Sequence, residues 1–289
     1  VAARERRDHG GPVGGGLGQL SAVLANRLTD LGVEVRLNSQ VRKITTVGKK
    51  ATGIELLTGE KIAADIVISN SDAYELYGSL LPKMRRTRKP RISLRRAHPS
   101  LSGFSILLGL RGTSALEHHT VLFPENYEAE FDAIFRDRKP PIDPAIYICN
   151  PKDAAMVPNP NAESWFILVN APRHEPGIGT DWNQPGLKES YAERIIEKIE
   201  AQGIPVKSRI EVMQIRTPAD LERETRAPGG SIYGTSSNGA RSAFLRAKNR
   251  SPIKNLYCVG GSSHPGGGLP LVAISAEIVA TAIEEQERA

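Results

Sequence analysis

Aromatic residues make up only 5% of this 289-residue chain, and there are two cysteines. The first shortage weighs against a single-stranded nucleic-acid binder, because such proteins stack bases on aromatic platforms. The second excludes a disulfide scaffold. Cys149 in AIYICN and Cys258 in NLYCVG lie inside apolar strand-like runs, and neither sits in a C-x-x-C or metal-ligand spacing, so two buried free thiols are expected. His118 and His119 in ALEHHTVLF lack a third ligand at metal spacing, so no metal site is expected. No apolar run approaches the roughly 18–20 residues needed to cross a bilayer. The N-terminus lacks the basic, apolar, small-residue order of a signal peptide, and the expected compartment is the cytoplasm. Acids are also missing from one stretch. Between Lys83 and Arg96, KMRRTRKPRISLRR carries Lys83, Arg85, Arg86, Arg88, Lys89, Arg91, Arg95 and Arg96 with no counter-charge and no aromatic residue.

The remainder is the composition of a globular chain, with 39% hydrophobic and 24% charged residues and a net charge of +6. Such a length buries an ample core in one large or two ordinary domains. The basic block reads either as a solvated linker or, because Met84, Ile92 and Leu94 interleave with the charges, as a segment lying on an anionic membrane surface. Nucleic acid is the weaker reading for it.

Along the chain, Leu17, Leu20, Val23, Leu24 and Leu28 mark one face of a helix that Gly32 can end. VEVRLN then alternates as a strand, and the residues from Val41 to Asn70 read as a meander with turns at Gly48 and TGE. From about Pro82 to Arg226 loops dominate, with apolar runs at FSILLGL, AIYICN, SWFILVNAP and RIEVMQI. An amphipathic helix there has Leu187, Tyr191, Ile195, Ile196 and Ile199 on one face. The expected organisation is residues 1–80 and 227–289 as two parts of one domain, with a strand-rich domain, 81–226, inserted between them. The fold class is α/β (α+β mixed).

Two glycine clusters carry the functional signal. GGGLG at Gly14–Gly18 has Gln19 where a G-x-G-x-x-G fingerprint needs its last glycine, and RERRDHGGPV before it is no buried strand. The dinucleotide motif fails there, leaving a helix start that packs close to a ligand or to a neighbouring strand. The second cluster, VGGSSHPGGGLPL from Val259 to Leu271, puts five glycines and two prolines between the apolar run NLYC and a helix. Glycine lets backbone approach a ligand, and a helix start offers unpaired N–H groups to an anionic or electron-rich one. His264 is the one side chain of that motif suited to act as acid, base or hydrogen-bond donor; the alternative is a turn histidine bonded to backbone.

VRLNSQVRKI, ADIVISNSDA, AIYICNPKDAAMVPNP, RTPADLERETRAPGGSIYG and NRSPIKNLYCVGGSSHPGGGLPLVAISAEIVA, in that order, resemble the phytoene desaturase-type FAD oxidoreductases, the carotenoid desaturase family. The resemblance spans nearly the whole chain. It implies the C-terminal part of a two-domain FAD/NAD(P)-binding flavoprotein oxidoreductase fold with an inserted substrate domain, the phosphate-cradling Rossmann unit being expected outside these residues. It also implies FAD as cofactor and dehydrogenation of a long apolar polyene such as phytoene, in a tunnel that FSILLGL, AIYICN and WFILVN can line. By resemblance Val41 meets the adenine through its backbone. Gly260, Gly261 and Ser262 lie beside the pyrophosphate and ribityl chain, and Pro265, Gly266, Gly267, Gly268, Leu269 and Pro270 run along the isoalloxazine. Gly261 stands where related amine oxidases carry an acid, which disfavours an amine substrate. The alternatives are a flavoenzyme of the same fold acting on another apolar alcohol or amine, and a non-catalytic chain binding an apolar ligand or partner.

Overall fold

A computed structural model describes residues 14–97, 99–236 and 246–288. In chain order the elements are α1 (Gly18–Asp30), β1 (Val41–Val47), β2 (Lys50–Leu56), β3 (Lys61–Ala63), β4 (Val67–Ser69), α2 (Ala73–Glu75), α3 (Arg88–Arg96), β5 (Ser102–Arg111), β6 (His119–Leu122), α4 (Tyr127–Phe131), β7 (Ile146–Cys149), β8 (Ala162–Ala171), α5 (Leu187–Ala201), β9 (Ile210–Arg216), α6 (Pro218–Thr225), β10 (Leu256–Cys258) and α7 (Leu269–Arg288). They form two compact units. One comprises Asn38–Leu101 and residues 221–288, the other residues 14–37 and Ser102–Asp220.

In the first unit β1, β2 and β3 make an antiparallel meander, and β4 pairs in parallel with β10. The basic block belongs to this unit because Leu80, Leu81 and Leu94 pack in one apolar cluster with Ile44, Val67, Leu256 and Cys258. Along the chain the two units change over at 101/102 and again at 220/221. Burying Leu94 at the inner face of α3 leaves Arg88, Lys89, Arg95 and Arg96 exposed, and Lys83, Arg85 and Arg86 in the turn before it are exposed as well. Arg91 is partly buried, donating to the Leu81 carbonyl at 2.8 Å. Among the described residues, no carboxylate pairs with those seven exposed cations.

In the second unit five antiparallel strands run in the order β6-β7-β8-β5-β9. All four apolar runs read from the sequence are strands in it. Alternation along β5 and β8 sends Phe104, Ile106, Leu108, Leu110, Trp165, Ile167 and Val169 to one face, where they pack on Tyr191, Ile195, Ile196 and Ile199 of α5. Each such side chain contributes about 1.5–3 kcal/mol by leaving water. The opposite face is mixed: Leu107 and Phe166, 38% exposed, and the more exposed Val121 and Val212 share it with Ser105, Gln214, Arg216 and Tyr147. Beneath the loops at the sheet end, the buried Glu163 carboxylate pairs with Arg209 at 2.7 Å and accepts hydrogen bonds from Ser114, Asn150 and Trp165.

Two expectations need correction. VEVRLN is not a strand: residues 33–38 are irregular, with Val33, Val35 and Leu37 exposed, because no neighbouring strand pairs with them. The helix before it forms as expected, yet none of its residues is buried. Gly15 N–H donates to the Asp153 carboxylate at 2.6 Å, and the Gly16 backbone lies against Met156. The first glycine cluster thus packs on a loop rather than on a neighbouring strand.

Candidate functional site

The second glycine cluster occupies the carboxyl ends of two parallel strands. Val259 N–H extends the ladder to the Ser69 carbonyl at 3.0 Å, so the residues after β4, Asn70 to Asp72, emerge beside those after β10, Gly260 to Ser262. In open α/β sheets the carboxyl ends of parallel strands are where ligands bind. Glycine at 260 is a steric requirement: its φ is +100°, and a Cβ there would lie 2.0 Å from Asn70 Oδ1. At Gly267 a Cβ would come within 2.6 Å of the Tyr233 ring. Gly261 differs. Its φ is not left-handed, and a Cβ would meet only the Gly267 backbone, at 3.4 Å.

Three buried side chains from outside the motif hold this turn. Asn249 Nδ2 reaches the carbonyls of Cys258 and His264 and the Ser275 hydroxyl at 2.9–3.1 Å, tying the strand end, the turn and α7 together. Ser275, fully buried in α7, also accepts from Gly260 N–H at 3.2 Å. Arg246 donates to the carbonyls of Tyr233 and Gly261 at 3.0 Å and lies against Gly266. Burial lowers the pKa of its guanidinium from the ordinary arginine value. On the other strand, Asp72 caps α2 by accepting from Tyr74 N–H, and Ala73 N–H donates to the Ser262 hydroxyl at 3.0 Å. Burial holds the Asp72 carboxyl above the ordinary aspartate range, with the nearby Glu75 adding to the effect.

A cavity of about 270 Å³ opens between these strand ends, lined among others by Asn70, Asp72, Ser231, Gly261 and Ser262. The Ser231 hydroxyl is buried and has no hydrogen-bond partner among the described residues. An orphaned hydroxyl, a neighbouring hydroxyl and amide, and a wall without side chains at Gly261 fit the hydroxyl-rich ribityl and phosphate portions of FAD.

The other sequence candidates are placed as follows. Gly266 and Gly268 take positive φ, and Leu269 and Pro270 open α7, whose first hydrogen bond runs from Val272 N–H to the Gly268 carbonyl. His264, joined to Pro265 by a cis peptide, is held by its backbone: its N–H donates to Ala247 and its carbonyl accepts from Asn249. Its imidazole is exposed and makes no hydrogen bond among the described residues. Val41 starts β1 and packs on the apolar cluster that contains Leu256 and Cys258. Sequence reading gave no role to Asn249, Arg246, Asp72, Ser231 or Ser275. The only signal for them is polarity at positions that end up buried, visible only once the chain is folded.

The sequence profile of flavin containing amine oxidoreductases matches residues 3–159. The 1-hydroxycarotenoid 3,4-desaturase of a Flavobacterium strain is 35% identical over 93% of this chain and 54% of its own length. The lycopene-forming phytoene desaturase of a Paracoccus strain is 34% identical over 97% of this chain and 56% of its own. A 4,4'-diapolycopene oxygenase from Methylomonas is 31% identical over 92% and 53%. The chain thus spans about half the length of the curated relatives it matches. Among solved structures, an oxidoreductase from Methanosarcina mazei superposes with a TM-score of 0.59 at 17% identity, over 94% of this chain and 55% of that one, which shows a shared fold. A family match over more than half of the sequence, on a fold whose glycine-walled strand ends suit a flavin nucleotide, shows that the chain belongs to the flavin containing amine oxidoreductase family.

Proposed function

We propose that the chain forms part of an FAD-dependent oxidoreductase that desaturates a long apolar polyene of the carotenoid class. The observation that carries the reading is the cavity at the carboxyl ends of β4 and β10, walled by Gly261 and holding the orphaned Ser231 hydroxyl. FAD, when bound, supplies the hydride acceptor at N5. The chain's residues do the rest by placement. Gly260, Gly261 and Ser262 give backbone access to the ribityl and pyrophosphate groups. The turn from Pro265 to Pro270 would hold the ring system, and the Val41 backbone would hold the adenine. Asn249 and Ser275 fix the turn, so the start of α7 holds its N–H groups in one place and stabilises negative charge there. His264 is assigned a hydrogen-bonding or proton-transfer role beside the ring.

The substrate class is supported by the names of the relatives and, to a smaller extent, by the exposed apolar side chains Leu107, Val121, Phe166 and Val212 on one sheet face, which offer a flat polyene apolar contact. Removing hydride from a hydrocarbon asks the protein for alignment and exclusion of water more than for acid–base groups. The exposed cations of α3 and the turn before it are assigned to an anionic membrane surface, where such a substrate resides, with the enzyme at the inner, cytoplasmic face. No helix among the described residues is long and apolar enough to cross a membrane, which is compatible with surface attachment.

The test joins this chain to the portion of the Paracoccus relative that lies outside the match and supplies FAD and phytoene in liposomes. Products with additional conjugated double bonds, read from their visible absorption, are expected. A chimera that binds FAD yet leaves phytoene and other carotenoids unchanged sinks the polyene assignment.

A further inference from the structure

We propose that His118, His119 and Cys149 form a zinc-binding site on the outer edge of the five-stranded sheet. In sequence the two histidines have no third ligand near them. The fold supplies it: β6 pairs with β7 in the register that sets His119 opposite Cys149. Asn150 N–H donates to the His118 carbonyl at 2.9 Å, carrying the ladder one residue further and fixing His118 beside the pair. The two imidazoles lie 4.3 Å apart, and one ligand atom from each of the three residues falls within 4.8 Å of the others. Donors at about 2.0–2.3 Å from a tetrahedral zinc are roughly 3.3–3.8 Å apart, so rotation of exposed or half-exposed side chains closes the site without moving backbone.

The surroundings match a built metal site. Tyr147, two residues before Cys149 on the same face, bonds to His119 Nδ1 through its hydroxyl at 2.7 Å and stacks against that ring, fixing its orientation. Metal-bound histidines ordinarily have such a partner. Two imidazoles and a thiolate suit a borderline-soft d¹⁰ ion better than magnesium or calcium, which prefer oxygen. On binding, the Cys149 S–H bond gives way to a Zn–S bond and one proton leaves to solvent. Three protein ligands leave the fourth position to water. The ion would cross-link the edge strand β6 to β7, at the border of the mixed sheet face.

The experiment uses the chain stripped of metal by chelator and without an affinity tag. Zinc is titrated against a chromophoric chelator, and cobalt(II) is added as a spectroscopic substitute. One equivalent of zinc is expected, with a cobalt spectrum showing a thiolate charge-transfer band and tetrahedral d–d bands. Cys258 does not confuse the reading, because it is buried and its thiol is pushed up to about 11. Cys149→Ser is expected to remove the charge-transfer band and weaken zinc binding at least about tenfold, and Tyr147→Phe to weaken binding about tenfold while keeping the band. His119→Asn gives a second ligand test should the serine variant fold poorly. Absence of stoichiometric uptake, a cobalt spectrum without the thiolate band, or ligand variants that bind zinc as the parent does each overturn the proposal.

Discussion

Replacing Asn249 by alanine removes the amide whose nitrogen reaches Cys258 O, His264 O and Ser275 Oγ at 3.1, 2.9 and 3.0 Å. The amide has two hydrogens, so two of these bonds are made at any instant. Asn249 is 6% exposed, and water does not readily replace it. Two acceptors losing a buried donor cost about 1–3 kcal/mol each, and partial relaxation brings the sum to about 2–4 kcal/mol. Ser275 keeps its bond from Gly260, so the loss concentrates between the strand end and the turn. Cys258 reports on this opening directly, being buried and holding its thiol proton up to about 11. In a Cys149→Ser background, it is the single thiol available to a disulfide reagent. Labelling should accelerate about 30- to 700-fold on Asn249→Ala, at 1.4 kcal/mol per factor of ten. A change below about threefold would show that the turn does not depend on this amide.

Elsewhere, Glu163 should govern the acid stability of the strand-rich unit. Burial alone would raise its pKa, but Arg209, Ser114 and Asn150 outweigh burial and bring it below the ordinary glutamate value. A depressed carboxylate stabilises above its unfolded pKa and loses that contribution as pH falls through the folded one. Unfolding midpoints should therefore drop as pH goes below about 4.5, and Glu163→Gln should flatten that dependence. Glu163→Gln should also cost about 1–3 kcal/mol at neutral pH, because Arg209 loses its carboxylate but keeps the Arg111 and Gly112 carbonyls, measured by urea denaturation. On α3 and the turn before it, changing Arg85, Arg88 and Lys89 to glutamine should lower partition onto phosphatidylserine vesicles about 100-fold, at about 1 kcal/mol per cation. Equal binding by parent and variant would refute a surface role. Leu107→Ser with Phe166→Ser should cost about 2–4 kcal/mol of stability, because both side chains are about three-fifths buried, and should cut carotenoid conversion by the folded chimera severalfold.

Much of the architecture was legible wherever one local pattern decided the outcome. FSILLGL, AIYICN and SWFILVN are strands whose alternate residues enter the core with α5, RIEVMQI joins them as the edge strand paired with β5, and α5 itself shows its buried stripe in the spacing of Tyr191, Ile195, Ile196 and Ile199. The strand–turn–helix at β10 and α7 was equally plain, since glycine and proline leave few other backbone solutions. VEVRLN alternates just as well and is no strand, because alternation supplies a face but not a partner. β6 escaped notice for the converse reason: four residues at a sheet edge form a strand only through β7. The polar half of the candidate site was invisible for a related cause. Ala73 and Ser262 are 189 positions apart, and Asn249 gives no sign in sequence that its amide will be enclosed by a strand end, a turn and a helix.

The most direct test of a flavin site at the β10–α7 turn is the visible absorption spectrum of the chimera after incubation with FAD and gel filtration, beside its Gly261→Val variant. Residue 261 has no left-handed φ, so valine can fold there while filling the cavity. A flavin band retained by the parent and lost by a folded Gly261→Val protein is the expected result. A parent that elutes without flavin, or a variant that holds flavin as tightly, would contradict the assignment of this turn to the cofactor.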